Sequence, residues 1–194
     1  MAMTNDDLLA HRLRLFRNHG ITRDRRHMTH APDGDWYYQQ IELGYNYRLT
    51  DLQAALGINQ LTRIDDYVAR RWEIAARYNR LLADLPLTKP YQDQGATSAW
   101  HLYVVRLQAD KAGIGHRALF DHLRAAGIGV NLHYIPVHTQ PYYRRNGKIA
   151  GYNDRSFPEA QRYYAEAISL PMYPTLSEVQ QDAVVGALAG AGLN

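Results

Sequence analysis

The sequence predicts an α/β protein: helical segments first, one long helix in the middle, and a small α+β domain at the end. Three observations carry this expectation. From Leu61 to Leu85, apolar or aromatic residues recur at Leu61, Ile64, Val68, Trp72, Ala75, Tyr78, Leu82 and Leu85, in steps of three or four, the spacing of one helix face. Beyond Pro90 the pattern changes, and strand-like runs such as AWHLYVVRL alternate with amphipathic helical ones. Hydrophobic residues make up 46% of the 194, ordinary for a folded domain, with no apolar run near the ~20 residues that a membrane-spanning helix needs.

Element by element, Thr4 to Phe16 reads as a helix. Thr4 can cap it, Asp7 three later completes a capping box, Leu9, Leu13 and Phe16 form one apolar face, and Gly20 can end it. Ile21 to Gln40 has no clean period. With Pro32, Asp33-Gly34 and Trp36-Tyr37-Tyr38 it is expected to be an irregular surface segment. Thr50 can cap the long helix, Asp51 suits its positive end, Gly57 marks an expected bend, and Pro86 and Pro90 stop it. Next come a strand over Ala99 to Leu107, a helix over Gly115 to Ala126 ended by Gly127, and a second strand over Ile128 to Val137. An exposed loop is expected at Gln140 to Asn153, then a helix over Phe157 to Ala167 and a short strand over Ile168 to Pro171. The last helix spans Ser177 to Leu188, with Ser177 and Gln180 as a capping box, and the Gly/Ala-rich tail after Gly186 is expected to fray.

Composition narrows the chemistry. There is no cysteine, so disulfides, zinc thiolates and thiol nucleophiles are excluded. A net charge of +3 is mild, and the densest basic stretch, Arg23-Asp24-Arg25-Arg26, is broken by an acid, so no nucleic-acid stripe is present. The start of the sequence is neither basic nor apolar enough for a secretory signal, which makes a cytoplasmic protein the expectation. Fifteen tyrosines stand out, because tyrosine suits interfaces and polar clefts.

Two stretches carry candidate chemistry. In GYNYRLTDLQAALG, Gly44 to Gly57, a loop holding Tyr45, Asn46, Tyr47 and Arg48 runs into a helix start. Such a loop can grip an anion through an amide and loop N–H groups, or it can be a turn in which Asn46 adopts an unusual conformation. Asp51 sits where an anion on the helix end would lie, which favours the Asn46 side chain over the dipole. In His133-Tyr134-Ile135-Pro136-Val137-His138, a spacing of five on a strand does not bring two imidazoles together, and no carboxylate is near, so a metal site is not expected. Strand alternation would place His133 and Ile135 on one face and Tyr134 on the other. Packing is the better reading for Trp100 and His101, whereas Tyr142-Tyr143-Arg144-Arg145 could stack a base and pair a diphosphate or be a solvated loop.

GYNYRLTDLQAALG, the long helix, SAWHLYVVRL, GIGVNLHYIPVH with a following PYY, and ISLPMYPTLSEVQ occur here in that order. In this the chain resembles the DegT/DnrJ/EryC1/StrS family of pyridoxal phosphate-dependent sugar aminotransferases. WYYQQIELGYNYRLTDLQAALG and HYIPVH resemble the UDP-4-amino-4,6-dideoxy-N-acetyl-altrosamine transaminases of pseudaminic acid biosynthesis. The resemblance implies the C-terminal part of a fold-type I aminotransferase. Residues 1–60 would be a remnant of the large cofactor-binding domain, residues 61–88 a connecting helix, and residues 89–194 the small C-terminal α+β domain.

By the same resemblance, Asn46 would hold the cofactor phosphate of the other subunit of a dimer, with Arg48 beside it. His133, Tyr134 and His138 would border the nucleotide-sugar cleft, a core or interface position being the other reading of each. An amino-acid donor, glutamate for instance, and a 4-keto nucleotide sugar would be the substrates. The family's chemistry uses a lysine that joins the cofactor aldehyde. In the family it lies just upstream of a segment matched here by Thr4-Asn5-Asp6, so it is expected to fall outside this sequence. No residue of the chain is therefore expected to be the catalytic one, and the chain alone is expected to be inactive. Lys89, Lys111 and Lys148 read as solvated surface lysines. A homodimer, or association with the remaining segment, follows from the resemblance. A non-catalytic folded module or pairing subunit is the alternative.

Overall fold

The computed structural model describes residues 2–145 and 157–193. Two compact units are present, Met1–Thr62 and Arg63–Asn194.

In the first unit, helix α1 spans Asp7–Phe16. Its cap is Asp6 rather than Thr4: the Asp6 carboxylate accepts from Leu9 N at 3.0 Å, while the Thr4 hydroxyl only accepts from Asp6 N. The carboxylate is the better acceptor and faces the positive end of the helix. The side chain that α1 buries is Leu15; Leu9 and Leu13 of the expected apolar face stay exposed. Two short strands, β1 (Ile21–Thr22) and β2 (Gln39–Gln40), pair antiparallel. The segment between them is thus closed by a ladder that its lack of period does not announce. Buried Gln39 organises it, its side-chain Oε1 accepting from Thr29 N at 2.7 Å. Helix α2, Asp51–Leu61, opens with a complete capping box of Thr50 and Gln53.

The long helix is not continuous. Helix α2 stops at Leu61 and α3 runs over Ile64–Leu81, so the interruption lies at Thr62 and Arg63, not at Gly57. The Thr62 hydroxyl donates to Asn59 O at 2.8 Å, and Asp65 and Asp66 give α3 an acidic first turn that suits a new helix start.

The second unit packs helices on a three-stranded antiparallel sheet of order β3 (Leu87–Thr88), β4 (Tyr103–Leu107), β5 (Ala167–Leu170). In β4 the buried residues alternate, Tyr103, Val105 and Leu107, as a half-covered strand requires. Against them lie Ile74, Ala75 and Tyr78 of α3, Leu119 and Leu123 of α4 (His116–Ala125), and Val184 and Leu188 of α7 (Glu178–Gly190), all in one hydrophobic core. Between these come α5 (Pro141–Arg145) and α6 (Pro158–Glu166).

Arg71 fastens α3 to two neighbouring loops. Its Nη1 donates to Trp100 O at 2.9 Å and Met172 O at 3.0 Å, with His101 O at 3.3 Å. Trp100 is buried as expected, but His101 is exposed. The strand expected over Ile128 to Val137 does not form; only Asn131 bridges Ser169 on the free edge of β5. Pro136 has no N–H for a ladder, and Val130 N turns back to Ile128 O. The tail does not fray before Leu193, because Leu188 and Leu193 are buried in the core. Most of the loop expected at Gln140 to Asn153 lies outside the described residues, and its first part is α5.

Candidate cofactor- and substrate-binding residues

Asn46 and Arg48 belong to the first unit; His133, Tyr134 and His138 belong to the second.

After α1 the chain pairs with the Tyr45–Arg48 loop. His19 N donates to Tyr45 O at 2.8 Å and Tyr47 N to Arg17 O at 2.9 Å. These bonds flank Asn18 and Asn46, which face each other as a non-hydrogen-bonded antiparallel pair. That is the closer of the two pair types and sets both side chains on one face. Arg48, two residues on, reaches the same face, and its Nη1 donates to Asn18 Oδ1 at 2.7 Å. Tyr45 and Tyr47 fall on the opposite face, their rings stacked at 5.0 Å with an 11° interplanar angle.

Two glycines let the backbones meet. Gly20 adopts φ +70°, and a Cβ there would stand 1.8 Å from Glu42 O; one on Gly44 would stand 2.2 Å from Gly20 N.

The result is a polar face of two amides and a guanidinium. Asn46 is exposed, and its side chain makes no hydrogen bond among the described residues. The Asn18 oxygen accepts from Arg48, and the two amide NH₂ groups with the rest of the guanidinium are donors that suit a phosphate. The first N–H groups of α2 are served in part by Thr50, so the side chains rather than the helix end would meet an anion. Asn18 escaped the sequence reading. It lies 28 residues before Asn46, and only long-range pairing brings them together.

In the second unit His133 is half-buried, with Nδ1 2.7 Å from the hydroxyl of buried Ser169. Tyr134 is exposed, and its ring stands edge-on to that of His133 at 4.5 Å. Ile135, expected on the His133 face of a strand, is exposed as well, because there is no strand to alternate. His138 lies in the 3₁₀ turn Val137–Thr139, with Nε2 3.4 Å from Gln161 Nε2 and its ring 4.8 Å from Phe157. The two histidines therefore have different partners. Among the described residues no three His, Asp or Glu side chains gather as a metal site would require. His133 and Ser169 line a cavity of about 480 Å³ walled by Leu102, Ile128, Met172 and Val184.

Tyr142 and Tyr143, on α5, are exposed and stand edge-on at 5.3 Å. Lys111 is exposed, Lys89 donates to Asn79 O at 3.1 Å, and Lys148 lies outside the described residues.

The profile of the DegT/DnrJ/EryC1/StrS aminotransferase family matches residues 1–189. SpsC of Bacillus subtilis (strain 168), a spore coat polysaccharide biosynthesis protein, is 38% identical over 97% of this chain, a match that covers 48% of SpsC. Among solved structures, DesV of S. venezuelae is 31% identical with a TM-score of 0.82, covering 99% of this chain and 46% of DesV. A DegT DnrJ EryC1 StrS aminotransferase from Brucella abortus is 30% identical with a TM-score of 0.78, at 99% and 46% coverage.

The mixed α/β fold is thus that of a C-terminal portion of an aminotransferase of this class. The chain belongs to the DegT/DnrJ/EryC1/StrS aminotransferase family, whose enzymes depend on pyridoxal phosphate. It spans about half the length of the curated relatives it matches. No helix among the described residues is long and apolar enough to cross a membrane.

Proposed function

We propose that this chain supplies the C-terminal share of a pyridoxal phosphate-dependent aminotransferase. That enzyme would move an amino group from an amino acid, glutamate for instance, to a 4-keto nucleotide sugar for surface polysaccharide synthesis in the cytoplasm. The cofactor, when bound, carries the amino group and withdraws electrons from the reacting carbon. The lysine that holds it would come from outside this sequence. The observation that carries the reading is the Asn18–Asn46–Arg48 face, a set of donors with no carboxylate among them, held out on a loop that two glycines lock against α1.

Asn46 would donate to the cofactor phosphate of the partner subunit in a homodimer, and Arg48 would add positive charge. His133, Tyr134 and His138 would contact the nucleotide sugar. The polysaccharide role named for SpsC supports the substrate class, and the motifs around Gly44 and His133 favour a pseudaminic acid precursor as the sugar.

The test is to restore a complete enzyme by co-expressing the chain with the N-terminal half of SpsC, then to titrate pyridoxal phosphate. Asn46→Ala should weaken cofactor affinity roughly ten- to a hundredfold, as expected for one hydrogen bond to a charged group. Unchanged affinity with only a lower melting temperature would make the loop a structural turn and overturn the proposal.

A further inference from the structure

The cavity beside His133 has a polar lining in which amide and imidazole donors are left over. Five of its side chains can in principle either donate or accept: Asn131, His133, Ser169, Tyr173 and Gln180. In Asn131, His133 and Gln180 an acceptor is already in use. Asn131 Oδ1 accepts from Leu132 N at 2.8 Å, and Gln180 Oε1 accepts from Ser177 N at 2.9 Å in the cap of α7. What remains on both is an NH₂ group.

His133 is decided by Ser169. That hydroxyl is buried, and among the described residues its partner is His133 Nδ1, at 2.7 Å. If Nδ1 carried the proton and donated to Ser169, the serine O–H would itself be a buried donor without an acceptor. The paired arrangement has the serine donating to Nδ1, which leaves Nε2–H as the free end of the neutral ring. No lysine, arginine or carboxylate lines the cavity among the described residues, and its walls are apolar.

The geometry points to Ser169 as a positioning residue that holds His133 in the Nε2–H form, so that the cavity offers neutral donors to a carbonyl oxygen on an apolar body. An acylamino or keto sugar has that chemistry; its diphosphate, which calls for charged partners, does not. This rests on the reading of the His133 segment as a nucleotide-sugar contact. It adds which part of that ligand the cavity takes.

The experiment is ¹⁵N NMR of the histidine-labelled 194-residue chain at a pH where the imidazole is neutral. His133 should show a protonated Nε2 and an unprotonated Nδ1. Ser169→Thr should keep that signature, and Ser169→Ala should lose it to a mixture of tautomers. A protonated Nδ1 in the unaltered chain overturns the positioning role, whatever becomes of the substituted chains.

Ligand titrations then separate the second half of the inference from the proposed function. UDP-N-acetylglucosamine should shift the His133 Nε2 resonance and UDP alone should not. Equal shifts with both would assign the cavity to the nucleotide and overturn the carbonyl assignment. No shift with either would overturn the sugar-contact reading of His133, while the tautomer result would stand by itself.

Discussion

At Gly20 and Gly44 a single methyl group decides whether the candidate phosphate loop can dock. A Cβ at Gly20 would stand in a left-handed backbone and 1.8 Å from a carbonyl oxygen. Gly20→Ala should therefore cost more than the roughly 1–2 kcal/mol of left-handed strain alone. It should also raise amide exchange at Tyr45 and Tyr47, whose N–H groups bond to Phe16 O and Arg17 O. Unchanged protection there would mean that the loop does not depend on this approach. Arg71 is the comparable position in the second unit, one guanidinium nitrogen holding three carbonyl groups. Arg71→Met keeps the length of the side chain and removes the donors. Hydrogen bonds to charged groups are worth about 1.5–3 kcal/mol each, and Nη1 has two protons to share among the three carbonyls, so a loss of about 3–6 kcal/mol is expected in urea unfolding.

Between elements, α3 meets β4 through Tyr78 and Tyr103, whose rings lie 5.0 Å apart with both side chains fully buried. Burial pushes both hydroxyls above the ordinary value of 10.0. The unfolded chain would ionise them near that value while the fold keeps them protonated. The fold therefore holds more protons, and stability falls as pH rises. Stability should be flat up to about pH 10 and then drop by as much as about 1.4 kcal/mol per pH unit for each tyrosine. Tyr78→Phe should make the alkaline limb shallower, and an unchanged slope would show that the Tyr78 hydroxyl is not what titrates. Helix α7 depends on its start: Ser177 accepts from Gln180 N at 3.2 Å while Gln180 reaches back. Ser177→Ala should cost about 0.5–2 kcal/mol by thermal unfolding.

For the whole molecule the expectation is association. Leu52, Leu56 and Leu61 of α2 are 86%, 62% and 61% exposed, and Leu9 and Leu13 of α1 are exposed too. Patches of this kind drive proteins to a partner or to aggregation. Light scattering of the chain at tens of micromolar should report a species larger than the monomer. Leu52→Arg with Leu56→Arg should shift it toward the monomer without lowering the melting temperature, since neither side chain is buried in the described structure. A monodisperse monomer before substitution would contradict the expectation.

What the sequence determined by itself was whatever depends on neighbours along the chain. Apolar spacing located α3 and α4; Ser177-x-x-Gln180 marked the start of α7; the strand-like run AWHLYVVRL marked β4; and the ordered motifs from Gly44 to Gln180 pointed to the family. The tertiary structure decided what depends on contacts across the chain. The Ile21 to Gln40 segment gains its ladder only because β1 and β2 find each other. The segment after Gly127 fails as a strand because a proline and a turn leave one bridge where a ladder needs several donors. Asn18 joins Asn46 and Arg48, and Ser169 joins His133, across gaps that no local pattern encodes. The residue types that could bind a phosphate or a sugar were legible; which partners orient them was not, because hydrogen-bond direction is set by whichever groups the fold has buried around them.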